Sequence, residues 1–526
     1  MDLSTPIQGL RHLLVGRTFA FYVLASFVVI GASTLLLIVY RLFLHPLSRF
    51  PGPLPAKVTG LWRSKKYVDG NWHADVVELH EKYGRIVRIA PNELSIVDEH
   101  AMKNLYGHGH NARKTDWYSV WDPAGTAPQL FSELDKKQHA FLRKRLAGAY
   151  SMSSVLRYEK YIQVVLDLLL YRLKAKAEAG EVVDMAVWTN AFAFDTVGEL
   201  GYGSQLGHLW TEKDVGGLRK TIFDAFFVLS NLGHFPGQAR ILQNPLMEKL
   251  QTFMGAPPTF SRFRDWTAEQ IRKRLQTIET TKRDDLLTHF CRMKAADGGP
   301  AAFEAILIEA MNLIGAGADT TSIGMRACLH YLALNPEAYR ETQRAVDKYY
   351  EDKSLDRPIK YNETQEIPYL VAVIKEATRI FPSIVFQLLR HAPKDFEVRG
   401  KSIPAGTPVG ISPISQNRDK DIWGPDANEF RPERWLQGEA RTKYLDTSSM
   451  TFGGNGPRMC IGRNIALVEL HKFLAQFMRN FDFEYVDKSK PWRVTTYWFA
   501  YQHDQHMRIT FRKNRSIREV TSMEAE

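Results

Sequence analysis

The string Phe452-Gly453-Gly454-Asn455-Gly456-Pro457-Arg458-Met459-Cys460-Ile461-Gly462 concentrates chemistry in eleven consecutive residues. Its glycines and proline permit a tight turn that bulkier residues would resist. The turn presents one cysteine just ahead of a helical run, Asn464 to Phe477. A thiolate at a helix N-terminus gains from free backbone N–H groups and the helix dipole, and Arg458 adds positive charge nearby. Gly462 removes a side chain where a flat cofactor would need close approach. The chemistry that fits is an axial thiolate to a haem iron, with N–H donors tuning the sulfur. Cys460 is therefore the expected metal ligand. Cys291 and Cys328 lack such surroundings and read as inert buried thiols.

A second group lies in Leu313-Ile314-Gly315-Ala316-Gly317-Ala318-Asp319-Thr320-Thr321, within an apolar-periodic run expected to be helical from Phe303 to Leu332. Small residues there weaken helix propensity but leave a flat face for a large planar group, with Gly317 on it. Asp319 and Thr320 are poor interior choices unless used. A Thr hydroxyl can bond the carbonyl four residues back and open room for ordered water. A third group is Glu376 and Arg379, three apart on one helix face and surrounded by Val371, Val373, Ile374, Ala377 and Ile380. A buried pair needs further hydrogen bonds, and Arg434 in Phe430-Arg431-Pro432-Glu433-Arg434-Trp435 is the candidate third charge.

These residues need a scaffold. Helix dominates the pattern from Leu134 to Tyr339, with interruptions at Gly201–Gly207 and Pro245–Pro258. Short strands are expected at Ile86–Ile89 and Glu93–Val97, joined by a Pro91-Asn92 turn. Others are expected at Phe386–Leu389, Phe396–Val398, Val409–Ile411, Phe481–Val486 and Met507–Phe511. The body is mainly α with a minor β-sheet region.

The chain has 526 residues, 44% apolar and 24% charged, with three cysteines and a net charge of +11. That composition excludes collagen, global disorder and a disulfide scaffold. The basic balance suits acidic partners or anionic membranes. No Lys/Arg block interleaves with aromatics, so nucleic acid is not an expected partner. Residues 18–40 are 23 uncharged residues, long enough for one bilayer core. Arg41, Arg49, Lys57, Arg63, Lys65 and Lys66 follow, against Arg11 and Arg17 before, which places the C-terminal side in the cytosol. The expected organisation is a short luminal N-terminus (1–17), a transmembrane anchor (18–40), a Pro-rich linker (41–56) and one catalytic domain (57–526). Pro51, Pro53 and Pro55 stiffen that linker and oppose helix.

The cysteine string resembles the haem-binding signature of the cytochromes P-450, with Gly456, Arg458, Cys460 and Gly462 on its positions. The family Phe stands seven residues before the Cys. Here Phe452 is one residue earlier, so the loop looks one residue longer. The resemblance covers nearly the whole chain, anchor included, and is nearest to microsomal members from filamentous fungi. It implies a cytochrome P-450 fold preceded by one transmembrane helix. It implies that Thr320 holds water and supplies protons during oxygen activation, with Asp319 as relay. It assigns Arg458, Arg390, Arg143 and His139 to the haem propionates, Phe452 and Gly317 to the haem surroundings, and Glu376, Arg379 and Arg434 to structural support. The pocket stretches would be Tyr118–Leu130, Phe223–Phe235, Ser383–Leu388 and Thr495–Tyr501.

The implied activity is a haem-thiolate monooxygenase acting on a hydrophobic small molecule at the endoplasmic reticulum membrane. No Gly-x-Gly-x-x-Gly follows a strand, so electrons are expected from a separate NADPH-dependent reductase, with cytochrome b5 as a further donor. A reductase-independent isomerase or peroxygenase is an alternative, against which the intact Asp319-Thr320 argues. A non-catalytic haem sensor is another.

Overall fold

Residues Phe303–Leu334 form one continuous helix, the longest among the described residues of the body, and the Met185–Tyr202, Pro258–Gln276, Leu286–Cys291, Pro336–Asp352, Pro368–Ile380 and Arg463–Asn480 helices pack against it. The computed structural model describes residues 4–520 apart from 111, 123–126, 236, 239–243, 245, 247, 248, 250–252 and 254–257. Most of the expected interruption at Pro245–Pro258 lies outside the described residues.

Small residues set the distances between helices. A Cβ on Gly201 would run into the Leu313 side chain, and one on Gly317 would meet Val197 Cγ2 at 3.1 Å. The Met185–Tyr202 helix therefore lies close along the central one. A Cβ on Gly324 would meet Leu470 Cδ2 at 3.1 Å and Thr378 Cγ2 at 3.6 Å, so the Arg463–Asn480 and Pro368–Ile380 helices converge there. Local signals set the helix ends. Asp135 accepts from the Gln138 N–H to start Lys136–Ala147, and Gly203, at φ +82°, ends Met185–Tyr202.

The sheets are small. Strands β1 (Ile86–Ala90) and β2 (Glu93–Ile96) form the expected hairpin. Strands β3 (Val182–Asp184), β4 (Arg390–His391), β5 (Glu397–Val398), β6 (Lys401–Ser402) and β7 (Pro408–Ile411) follow. The last four are β8 (Phe481–Tyr485), β9 (Arg493–Tyr497), β10 (Phe499–His503) and β11 (His506–Phe511). One sheet runs β1-β2-β7-β4 and another β3-β11-β8, with β5-β6 and β9-β10 as separate pairs. The expected strand at Phe386–Leu389 does not form. Leu388 donates to Ile411, whereas Val385 just before the segment donates to Trp498, so no ladder propagates. The β9–β10 hairpin lies where the sequence suggested only an aromatic stretch.

At the N-terminus a helix spans Ser4–Val39, followed by a π-helical turn at Tyr40–Leu44. Residues 18–39 of the apolar segment thus sit inside a longer helix that also includes residues 4–17. Phe21–Leu44 is long and apolar enough to cross a membrane. Ser26 and Thr34 donate to the carbonyls four residues back, which satisfies their hydroxyls within the helix. The Pro-rich stretch departs from expectation: Leu54–Val58 is a short helix with Pro55 in its first turn, where no amide donor is missed. The stretch is also docked. Phe50 is fully buried, and the Arg88 amide donates to the Pro51 carbonyl at 2.7 Å.

Candidate functional site

The cysteine loop is closed by its own backbone. Gly453 N–H donates to the Met450 carbonyl (2.9 Å) and Cys460 N–H to the Phe452 carbonyl (3.0 Å). Gly453 and Gly454 both adopt φ +83°, a region that favours glycine. These two consecutive left-handed residues turn the chain so that Phe452 pairs with Cys460. The Arg463 guanidinium lies 5.7 Å from the Phe452 ring centroid. A Cβ on Gly456 would collide with the Tyr106 carbonyl. A Cβ on Gly462 would meet Cys460 Sγ in ordinary contact at 3.9 Å, so the space beside the sulfur is open.

Cys460 is accessible, yet burial dominates its titration and pushes the thiol up, against the Gly462 N–H, Arg143 and Arg463. The expected stabilisation by the helix N-terminus is present but does not win by itself. A bound metal cation is the group that would complete it.

On the central helix, Ala316 is exposed and Gly315, Gly317 and Thr320 are partly so, although the helix is otherwise largely buried. Thr320 Oγ1 donates to the Ala316 carbonyl at 2.7 Å, the bond expected from the sequence. Ser383 Oγ donates to the Thr320 carbonyl at 2.7 Å. Gly317, expected on the cofactor face, also has a packing reason for its size, since Val197 occupies the space beside it. Asp319 is buried. Its Oδ1 accepts from Asn190 Nδ2 at 2.7 Å and its Oδ2 from the Tyr501 hydroxyl at 3.3 Å.

Five nitrogenous side chains converge near the cysteine: Lys114, His139, Arg143, Arg390 and Arg458. Lys114 went unnoticed in the sequence, where it looks like an ordinary surface charge beside Arg113. In the fold it is buried, and its ammonium lies 4.4 Å from the Tyr118 ring centroid. Burial, then Arg458 and Arg390, hold it well below the usual lysine range. Burial and Arg390 pull Arg458 down to about 10. Burial, then Arg458 and Lys114, hold His139 down to about 3, so it is a neutral N–H donor. The donors reach main-chain carbonyls: Arg143 to Met459 (2.7 Å), Arg458 to Glu133 (2.7 Å), Arg390 to Leu389 (2.8 Å) and Lys114 to Phe131. Arg390 Nε is buried without a partner. Glu133 and Asp135 lie near Arg458 and Asp122 and Glu133 near Lys114, and the cluster keeps an excess of cations that suits anionic groups brought from outside. Two carboxylates beside an accessible thiol satisfy it, and that donor set fits haem through its propionates and iron.

The loop is braced from behind. Glu376, Arg379 and Arg434 are fully or nearly fully buried. Glu376 accepts from Arg379 Nε and Nη2 and from Arg434 Nε, all at 2.8 Å, and from Trp435 Nε1 at 2.9 Å. Burial pushes the Glu376 carboxyl up, but the two guanidiniums outweigh it, and the net shift is downward. Arg379 donates to the Asn417 carbonyl (2.6 Å), and the Asn417 side chain accepts from the Met450 amide (2.8 Å) and donates to Thr451 (3.2 Å). Asn417 thus connects the triad to the start of the cysteine loop.

Residues 49–509 match the family model described as Cytochrome P450. The chain belongs to the cytochrome P450 family. It is 32% identical to Cytochrome P450 monooxygenase gsfF of Penicillium aethiopicum, over 94% of this chain and 99% of that one. It is 30% identical to pisatin demethylase of Fusarium vanettenii, over 90% of each. It is also 30% identical to Cytochrome P450 monooxygenase hepC of Aspergillus oryzae, over 89% of this chain and 94% of that one. This P450 is accordingly an oxidoreductase of the oxygen-incorporating kind.

The P450 also presents a wall of aromatic rings. Trp498 stacks on Trp117 (4.6 Å between centroids), Trp121 meets Phe226 (4.9 Å), and Phe226 meets Phe499 (4.5 Å). Trp498 is the single residue at the β9–β10 tip and holds φ +74°, an uncommon conformation for a bulky side chain. Phe227 meets Tyr497 at 4.7 Å. Tyr118 joins this wall to the cation cluster: its ring meets Trp117 at 4.9 Å and its oxygen accepts from Arg390 at 3.1 Å.

Proposed function

We propose that this P450 is a haem-thiolate monooxygenase that oxidises a hydrophobic, ring-containing small molecule in fungal secondary metabolism. Electrons would come from NADPH through a separate reductase, with cytochrome b5 as a second donor. The observation that carries the reading is the exposed Cys460 at the end of its glycine loop, beside the cationic side chains of Lys114, Arg143, Arg390 and Arg458, which outnumber the nearby carboxylates of Asp122, Glu133 and Asp135.

Haem bound through Cys460 supplies the iron chemistry that activates dioxygen. The protein does the rest. Arg143, Arg390, Arg458 and Lys114 hold the propionates, and His139 offers a neutral N–H. The Phe452 carbonyl fixes the Cys460 amide, while N–H groups of Gly462 and Arg463 face the sulfur. Thr320 holds a hydroxyl on the accessible side of the central helix and passes protons there, and Asp319 relays them from behind. The Trp117, Trp121, Phe226, Trp498 and Phe499 rings exclude water and orient the substrate.

On the partner side, the Lys136–Ala147 helix turns His139 and Arg143 inward and exposes Lys136, Lys137 and Lys144. An acidic electron donor docked there would approach the cysteine side. On the membrane side, Phe43, Leu44, Leu54, Leu61 and Val68 are exposed in continuity with the anchor helix, which suits the endoplasmic reticulum surface.

The test is the reduced carbon monoxide difference spectrum of the full chain in detergent. A strongly red-shifted Soret band is expected, and Cys460→Ala should lose both the band and oxygenation. An unshifted band in the wild type, or a retained shift in the variant, overturns the reading.

A further inference from the structure

Asp319 is held by two residues that no sequence motif marks. Asn190 reaches it from the Met185–Tyr202 helix and Tyr501 from β10, 129 residues before it and 182 after it in the chain. Both donate to opposite oxygens of one carboxylate that is 5% exposed, while the neighbouring Thr320 is only half-buried. The groups behind this clamp are themselves anchored. Arg326, one helical stretch along, donates to the Gln502 carbonyl at 3.0 Å and to Ser322 Oγ at 3.0 Å. The Tyr501 ring lies 4.8 Å from Phe223 and 5.9 Å from Phe499, so the same residue touches the aromatic wall.

We propose that Asn190 and Tyr501 are positioning residues that clamp the Asp319 carboxylate behind Thr320 and set its proton affinity for proton supply to the site. The inference rests on the monooxygenase reading above. The surroundings agree with it. Burial raises the Asp319 pKa, and Arg326, Asn190, Tyr501 and Arg219 pull it back. The charged groups facing it are Arg326 on its own helix and Arg219 on the Leu218–Leu232 helix. Asp195 and Asp214 face Arg219, and Asp184 faces Arg326. The clamp donors favour the ionised form, so their loss makes Asp319 keep its proton to higher pH.

Infrared difference titration of the full chain in detergent reads carboxyl protonation without turnover, and Asp319→Asn assigns the band. Tyr501→Phe, which keeps the ring, and Asn190→Leu are each expected to move the midpoint up by about 1 pH, the scale of a donor lost from a charged acceptor. The pH dependence of product formed per NADPH consumed should move in the same direction by the same amount. An unchanged infrared midpoint in Tyr501→Phe and Asn190→Leu overturns the clamp. A moved midpoint with an unmoved pH dependence overturns Asp319 as the proton source. A wild type without the red-shifted carbon monoxide band marks failure of the monooxygenase reading instead, since the infrared result does not depend on turnover.

Discussion

Lys114 shows how much a single residue changes its meaning between chain and fold. A lysine beside Arg113 reads as a solvated charge, and only its burial against Tyr118 and Phe131 makes it part of the site. Burial, then Arg458 and Arg390, disfavour its charge, so an incoming propionate relieves repulsion as well as gaining a partner. Lys114→Met is therefore expected to speed haem loss to a scavenger protein about tenfold, the scale of one charge-assisted hydrogen bond. Lys137→Met, on the exposed side of its helix, should leave that rate unchanged. Cys460 is the opposite case: its place in a glycine loop just ahead of a helix was legible from spacing alone. How that loop turns was not, because the left-handed conformations of Gly453 and Gly454 appear only in the backbone angles.

At the scale of elements, the Pro368–Ile380 helix, the Pro432–Leu436 turn and the Asn417 loop hold one another through Glu376. Glu376→Gln leaves two buried guanidiniums without their counter-charge and is expected to destabilise the fold by about 3–5 kcal/mol in urea unfolding at pH 7. The pH dependence follows from the sign of the shift. The folded carboxyl titrates below the unfolded value of about 4.3, so its stabilisation is fully present above that pH and fades as pH falls through the folded value. The stability gap between wild type and Glu376→Gln should stay constant from neutral pH down to about 5 and narrow below about 4. The Glu376 and Arg379 spacing was readable on one helix face. The link through Asn417 to Met450 was not, because it joins segments 33 residues apart by side chain to main chain.

For the whole molecule, the N-terminal apolar helix and the body share a boundary that differs from the composition. Residues 41–56 look like a linker, yet Leu47 and Phe50 are buried in the body. Arg41 Nη1 donates to the Val58 carbonyl at 2.7 Å, and Arg88 donates to the Arg41 carbonyl at 2.9 Å. A chain beginning at Tyr40 should keep the stability of the body. One beginning at Phe50 loses the Leu47 contacts and an acceptor of Arg88, a loss of about 3 kcal/mol that a lower Tm would show. Equal Tm values for the two truncations would mean that the stretch is a linker after all.

The sequence by itself determined what is encoded locally: the apolar span, the helical periods, the glycine loop that presents Cys460, and the Ala-Gly-x-Asp-Thr stretch of the central helix. These follow from backbone permissiveness and side-chain period, which act over a few residues. Tertiary structure alone decided which polar groups lose water together. Lys114 joins Arg390 and Arg458, Asn190 and Tyr501 close on Asp319, and Asn417 spans from the triad to the loop. Their energies come from burial and from partners far away in the chain, and neither quantity exists until the helices have packed.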